Sequence, residues 1–76
     1  MKTSCRKGLA KCQVQLLESL NLMKVCISES YAALENMSPL VRGAAKGEEL
    51  EEKLNCLVDS RIALEESVSN LSKAIG

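Results

Sequence analysis

A heptad repeat runs through the C-terminal third of the chain and constrains its fold more than any other feature. One position of the repeat is always leucine, at Leu50, Leu57, Leu64 and Leu71. The other core position of the repeat holds Leu54, Arg61, Val68 and Ile75. A period of 3.5 residues places these side chains on one narrow seam of an α-helix, and such a seam packs against another helix.

The first half of the chain also follows a helical period. Its apolar residues form one broad stripe, at Leu9, Leu16, Leu20, Met23, Ile27, Leu34 and Met37. No proline or glycine interrupts residues 10–38, so one long helix is compatible with the pattern. We predict a first helix over about 8–36, preceded by a frayed basic segment, and a second helix over about 48–75.

The two predicted helices are separated by residues that favour turns. Ser38 and Pro39 form a helix start, with serine as the N-cap and proline at the first helical position. Gly43 and Gly47 weaken any helix that follows. We predict a connection over 37–47 that contains a helical turn at about 39–45. The alternative is a second helix that runs without a break from Pro39.

Folding the second helix back onto the first gives a register. When paired residue numbers sum to about 84, apolar residues oppose one another in five pairs: Leu9–Ile75, Leu16–Val68, Leu20–Leu64, Ile27–Leu57 and Leu34–Leu50. The predicted fold class is therefore all-α: a single domain over 1–76 that forms a two-helix antiparallel hairpin resembling a coiled coil. A hairpin covers only one side of each helix, so we expect oligomerisation or a partner to complete it.

Charge and composition limit the classes of partner. The chain has 76 residues, a single aromatic side chain (Tyr31) and no net charge. Residues 1–25 carry a balance of +4 and the remainder −4, which suits an antiparallel hairpin and argues against a dedicated nucleic-acid surface. No run reaches the roughly 18 apolar residues of a membrane span. We expect a cytoplasmic protein.

Four cysteines raise the question of a disulfide framework or a metal site. Cys5, Cys12, Cys26 and Cys56 are separated by 7, 14 and 30 residues, and the chain has no histidine. Structural zinc ligands are usually paired at much shorter spacing. We expect buried or half-buried free thiols, no metal and no cofactor. Without histidine or a glycine-rich phosphate loop, no catalytic set can be assembled, so we predict that the chain is not an enzyme.

Four residues are predicted to contact a partner. Val14, Leu22 and Val25 interrupt the otherwise polar face of the first helix. They are either ordinary exposed apolar residues or a second contact surface. Arg61 is the only charge on the leucine seam. Its guanidinium either extends to water at the edge of the seam, with its aliphatic stem packed on Met23, or is reserved for an acidic group of the partner.

One segment has a likeness to a known family. Residues 61–65 (Arg-Ile-Ala-Leu-Glu), followed by Val68 and Leu71, resemble the second helix of the small co-chaperones of bacterial type III secretion needle subunits. Arg42 and Gly43 resemble the glycine-containing turn of those hairpins. The resemblance implies protein transport: a cytoplasmic co-chaperone that joins a chaperone built of helical repeats and protects an aggregation-prone needle subunit. The alternative function is a self-associating coiled-coil subunit, structural or regulatory, that forms a four-helix bundle.

Overall fold

The computed structural model describes residues 1–76 and contains only helices. Helix α1 spans Thr3–Glu35, the short α2 spans Pro39–Arg42, and α3 spans Ala45–Ile75. The long helices α1 and α3 lie side by side over their length, in a body of 58 × 15 × 13 Å. The all-α fold class and the hairpin shape predicted from the sequence are confirmed. None of the helices has the length and apolar content that crossing a membrane requires.

Helix α1 is longer at its start than the sequence suggested. It begins at Thr3, whereas we predicted a start at about residue 8 and a frayed segment before it. The amide of Arg6 donates to the carbonyl of Lys2 over 3.1 Å, so the first turn is formed. No residue between Thr3 and Lys7 opposes a helix, and Gly8 is tolerated within it because a single glycine costs only about 1 kcal/mol.

The connection contains the predicted helical turn. The Ser38 hydroxyl accepts a hydrogen bond of 3.3 Å from the amide of Val41, and Pro39 occupies the first helical position. Ser38 is therefore the N-cap that its sequence context predicts. The turn ends after Arg42, so the alternative of one continuous helix from Pro39 is not what the structure shows.

Helix α3 begins at Ala45, three residues before the predicted start, and takes in Gly47. Gly47 is buried. A β-carbon built at this position would lie 2.1 Å from the carbonyl oxygen of Arg42, so only glycine lets α2 approach α3 this closely. The sequence rule that treats glycine as a helix breaker missed this second use of the residue.

The core lies near the turn of the hairpin. Ile27, Leu34 and Leu54 form a buried cluster, and partly buried residues pack against it: Met37, Leu50, Leu57 and Val58. This cluster brings together the predicted partners Ile27 and Leu57 as well as Leu34 and Leu50. Far from the turn, the Gln13 side chain donates to the hydroxyl of Ser72. These two residue numbers sum to 85, in agreement with the predicted register.

Away from this core, most residues of the seam are only partly buried. Only four apolar side chains are buried: Leu20, Ile27, Leu34 and Leu54. The repeated leucines of α3, including Leu57 and Leu64, are half-buried. The accessible surface is 5609 Å², against about 4,500 Å² for a compact monomer of this mass. The Cα radius of gyration is 17.2 Å, against about 11.4 Å for a compact domain. The hairpin thus exposes about 1,100 Å² more accessible surface to water than a compact monomer of this mass would.

Candidate protein-interaction surface

The heptad of α1 is complete once two polar residues are included. Leu9, Gln13, Leu16, Leu20, Met23, Ile27, Ser30, Leu34 and Met37 alternate in steps of four and three residues. Ser30 fits this stripe because its hydroxyl bonds to the carbonyl of Cys26 over 2.8 Å within the same helix, which satisfies it without a partner. The periodic signal for α1 was therefore present, but the polar side chains at 13 and 30 concealed it.

The two rows of this heptad are not equally covered. The row of Leu20, Ile27 and Leu34 is buried against α3. The other row is half-buried throughout, at Leu9, Leu16, Met23, Ser30 and Met37. Because the α3 leucines are half-buried as well, both helices present apolar side chains that the hairpin alone does not enclose.

Polar contacts join α1 and α3 along one edge of the seam. Gln13 contacts Ser72 there, and the Lys24 ammonium lies 3.9 Å from Glu65 Oε1. Gln13 continues the buried row, seven residues before Leu20, and Lys24 lies on the side of that row that is away from Met23. The half-covered apolar rows therefore lie towards the opposite edge of the seam.

At the opposite edge, both helices present small residues, and beyond Lys53 of α3 these residues carry no charge. On α1, a seven-residue interval aligns Cys5, Cys12, Ser19, Cys26 and Ala33. On α3, the neighbouring positions beyond Lys53 are Cys56, Ser60, Ala63 and Ser67. With the half-buried rows beside them (Leu9, Leu16 and Met23; Leu57, Leu64 and Leu71), these residues form what we call the uncharged face.

The predicted contact residues of α1 are all on the surface. Val14 is 56% exposed, Leu22 65% and Val25 53%. Val14 and Val25 are eleven residues apart, close to three helical turns, and share the side of α1 that faces away from the seam. Leu22 lies at the outer border of the uncharged face. The three residues are thus available to a partner but do not form one compact patch.

Arg61 lies apart from those three residues, on the seam of α3. Its side chain is 34% exposed, and Nε lies 3.7 Å from Glu65 Oε1, the same oxygen that approaches Lys24. The Nε atom is itself buried without a hydrogen-bond partner. The guanidinium thus finds a carboxylate of its own chain at the edge of the seam, which agrees with the interpretation of Arg61 as a side chain that extends out of the seam.

The cysteines are more accessible than expected. Cys5, Cys12 and Cys56 are exposed, Cys26 is half-buried, and no pair forms a disulfide. The expectation of buried or half-buried thiols was wrong for three of the four. The reason is that α1 and α3 cover a single stripe of each other, and the cysteine row of α1 lies just outside that stripe.

Two shallow grooves cross the hairpin, and neither gathers a catalytic set. One runs along α3 alone and is lined by Glu49, Glu52, Lys53, Cys56, Leu57 and Ser60. The other lies near the turn, where Arg42 Nε is 3.5 Å from Glu51 Oε1. No group of three or more cysteine, aspartate or glutamate side chains converges to hold a metal ion.

Comparisons with models of known protein families, with curated proteins and with solved structures find no match to this chain.

Proposed function

We propose that the chain is a non-catalytic protein-interaction module, a helical hairpin that completes its core against another helical surface. The observation that carries this proposal is the uncovered area. The excess of about 1,100 Å² over a compact monomer is comparable with the roughly 800 Å² that one partner contributes to a stable protein interface. Half-buried leucines on both helices contribute apolar surface to that area.

The first candidate partner is a different protein. The resemblance of residues 61–65 to the co-chaperones of type III secretion needle subunits supports a small cytoplasmic co-chaperone or adaptor. In that role the hairpin would join a chaperone with helical repeats and help to hold an aggregation-prone subunit. The exposed side chains of Val14, Leu22 and Val25 would then serve as the contact surface on α1.

The second candidate partner is another copy of the same chain. The uncharged face favours it, because a surface without charge has no like charges to bring together when it meets itself. In that role the hairpin is a structural or regulatory subunit that forms a four-helix bundle.

Native mass spectrometry of the tagged chain, purified from the cells that produce it, tests the proposal. The expected result is a species heavier than the 8.2 kDa chain, either with a second polypeptide or as a dimer. The chain recovered only as a folded monomer would contradict the proposal.

Matched variants assign the contact surface of α1. Replacing Val14, Leu22 and Val25 by serine should lower recovery of a different partner with little effect on folding, because all three are exposed. Leu40→Ser is the control, since Leu40 is 86% exposed on α2 and lies away from that surface. Equal recovery with the triple variant and the control would remove these three residues from the contact.

A further inference from the structure

We propose that the uncharged face is the docking surface for a second copy of this chain, with the two α1 helices antiparallel and a two-fold axis passing near Ser19. This inference rests on the proposed function and deepens it by naming the surface, the occupant and the orientation. It is carried by the symmetry of the α1 row, by the opposite charges of the two ends of α1, and by the area available.

The row of small residues on α1 is symmetric about its centre. Ser19 is exposed, and Cys12 and Cys26 each lie seven residues from it. When two α1 helices pack antiparallel about Ser19, Cys12 of one copy is therefore level with Cys26 of the other. The small side chains of this row let two helix backbones approach closely, while Leu16 and Met23 beside them supply apolar contact.

The charges along α1 favour the antiparallel orientation. Residues 2–11 contain four cations and no carboxylate, whereas residues 25–35 contain Glu29 and Glu35 and no cation. Lys11 and Glu29 lie five helical turns apart, on the outer side of α1. Pairing about Ser19 sets Lys11 of one copy within two residues of the level of Glu29 of the other, and symmetry makes this pair twice.

The other symmetric arrangement brings like charges together. If α1 packed against α3 of the second copy in the register of the hairpin, Lys11 would be level with Lys73 and Glu18 with Glu66, since both pairs sum to 84. All four residues lie on the outer sides of their helices, where each like-charge pair would repel weakly. In the antiparallel arrangement, Glu18 and Glu66 each form one like-charge pair with their own copy near the axis, whereas Lys73 approaches Asp59 and Lys11 approaches Glu29 in two opposite-charge pairs each.

The face is large enough for a stable interface. The hairpin has about 1,100 Å² more accessible surface than a compact monomer of its mass, which exceeds the roughly 800 Å² per partner of a standard interface. No polar bond must be broken for docking, because the inter-helix contacts of Gln13 and Lys24 lie on the other edge. A second hairpin would convert the half-buried leucine and methionine rows into the core of a four-helix bundle.

Sedimentation equilibrium of the full chain and two matched variants tests the occupant and the face. We expect the unmodified chain to be a dimer and Ser19→Arg to be a monomer, because the substitution places two like charges at the axis. Ser28→Arg should remain a dimer. Ser28 is also exposed, and its nine-residue separation from Ser19 puts it on the opposite side of α1. A dimer broken by Ser28→Arg but not by Ser19→Arg would overturn the choice of face.

Cross-linking tests the orientation. The variant Cys5→Ser/Cys56→Ser keeps only Cys12 and Cys26, and oxidation with copper phenanthroline should convert it into a covalent dimer. These two thiols are about 21 Å apart along one helix, too far for a bond within a copy, so their disulfide reports the contact between copies. Variants that keep Cys12 alone or Cys26 alone should cross-link at least tenfold more slowly.

Two results would overturn the inference in different ways. Rapid cross-linking through Cys12 alone would exclude the antiparallel pairing about Ser19. A folded chain that stays monomeric in sedimentation while binding a different protein in native mass spectrometry would exclude the second copy as occupant. That second result would leave the proposed function standing, whereas a monomer that binds nothing would remove both.

Discussion

The carbonyl oxygen of Arg42 lies so close to Gly47 that a β-carbon at position 47 would be 2.1 Å from it. This approach fixes α2 against the first turn of α3. It also gives a structural reason for a glycine inside a helix that has no other glycine before its C-cap.

The first prediction concerns this approach. Gly47→Ala should destabilise the hairpin by about 1–3 kcal/mol, because the new methyl group meets backbone that cannot rotate away. Gly8→Ala is the matched control, since nothing lies within 4 Å of a β-carbon there, and it should stabilise the helix by about 0.5–1 kcal/mol. Urea unfolding followed by circular dichroism measures both. Equal effects of the two substitutions would show that the contact at Arg42 is not formed.

The second prediction concerns the core. Leu54 is 3% exposed within the cluster formed with Ile27 and Leu34, so Leu54→Ala should cost about 2–5 kcal/mol. Leu40→Ala should change stability by no more than about 0.5 kcal/mol, because Leu40 is on the surface. The same unfolding measurement compares them. If Leu54→Ala proved as mild as Leu40→Ala, the buried cluster would not be the core of the hairpin.

The third prediction concerns the charge on the seam. Arg61→Leu should raise the stability of the isolated chain, since leucine adds apolar burial while the exposed ion pair with Glu65 contributes only about 0–1 kcal/mol. If Arg61 only extends out of the seam, partner affinity should not change. If it contacts an acidic group of the partner, affinity should fall by roughly 1–3 kcal/mol. Calorimetry with the co-purified partner distinguishes the two, and a less stable Arg61→Leu chain would contradict the seam assignment.

The fourth prediction concerns the thiols. We expect four free cysteines, so alkylation of the chain in cell extract followed by intact-mass analysis should add four labels. Cys56→Ser should leave the helical content unchanged, because Cys56 is exposed and the substitution removes no buried contact. A loss of two protons per chain, or one equivalent of bound zinc, would disprove this.

The hairpin itself could be predicted from the sequence because its signals are periodic. The leucine repeat of α3 gave the helix and its seam, and the serine and proline at 38–39 gave the start of α2. The register followed as well, since a residue-number sum of about 84 opposes apolar side chains in five pairs. The contact between Gln13 and Ser72 agrees with that sum to within one residue.

Other features depended on geometry that periodicity does not encode. From the sequence alone Gly47 is interpreted as a helix breaker, because its close contact with Arg42 depends on where α2 lies. Leu64 lies at a core position of the repeat, yet it is half-buried, so the cost of about 2–5 kcal/mol for truncating a buried leucine is expected at Leu54 rather than at Leu64. The uncharged face was divided between two helices, and only their relative placement brings its halves together.

The central claim is that this hairpin is completed by another helical surface, and thermal unfolding of the isolated chain tests it most directly. Circular dichroism would follow the midpoint over a roughly hundredfold range of chain concentration, and again with the co-purified partner added. We predict that the midpoint rises with concentration or with the partner, because association stabilises only the folded state. A high midpoint that changes neither with chain concentration nor with added partner would mean that the monomer is stable without association, and would contradict the claim.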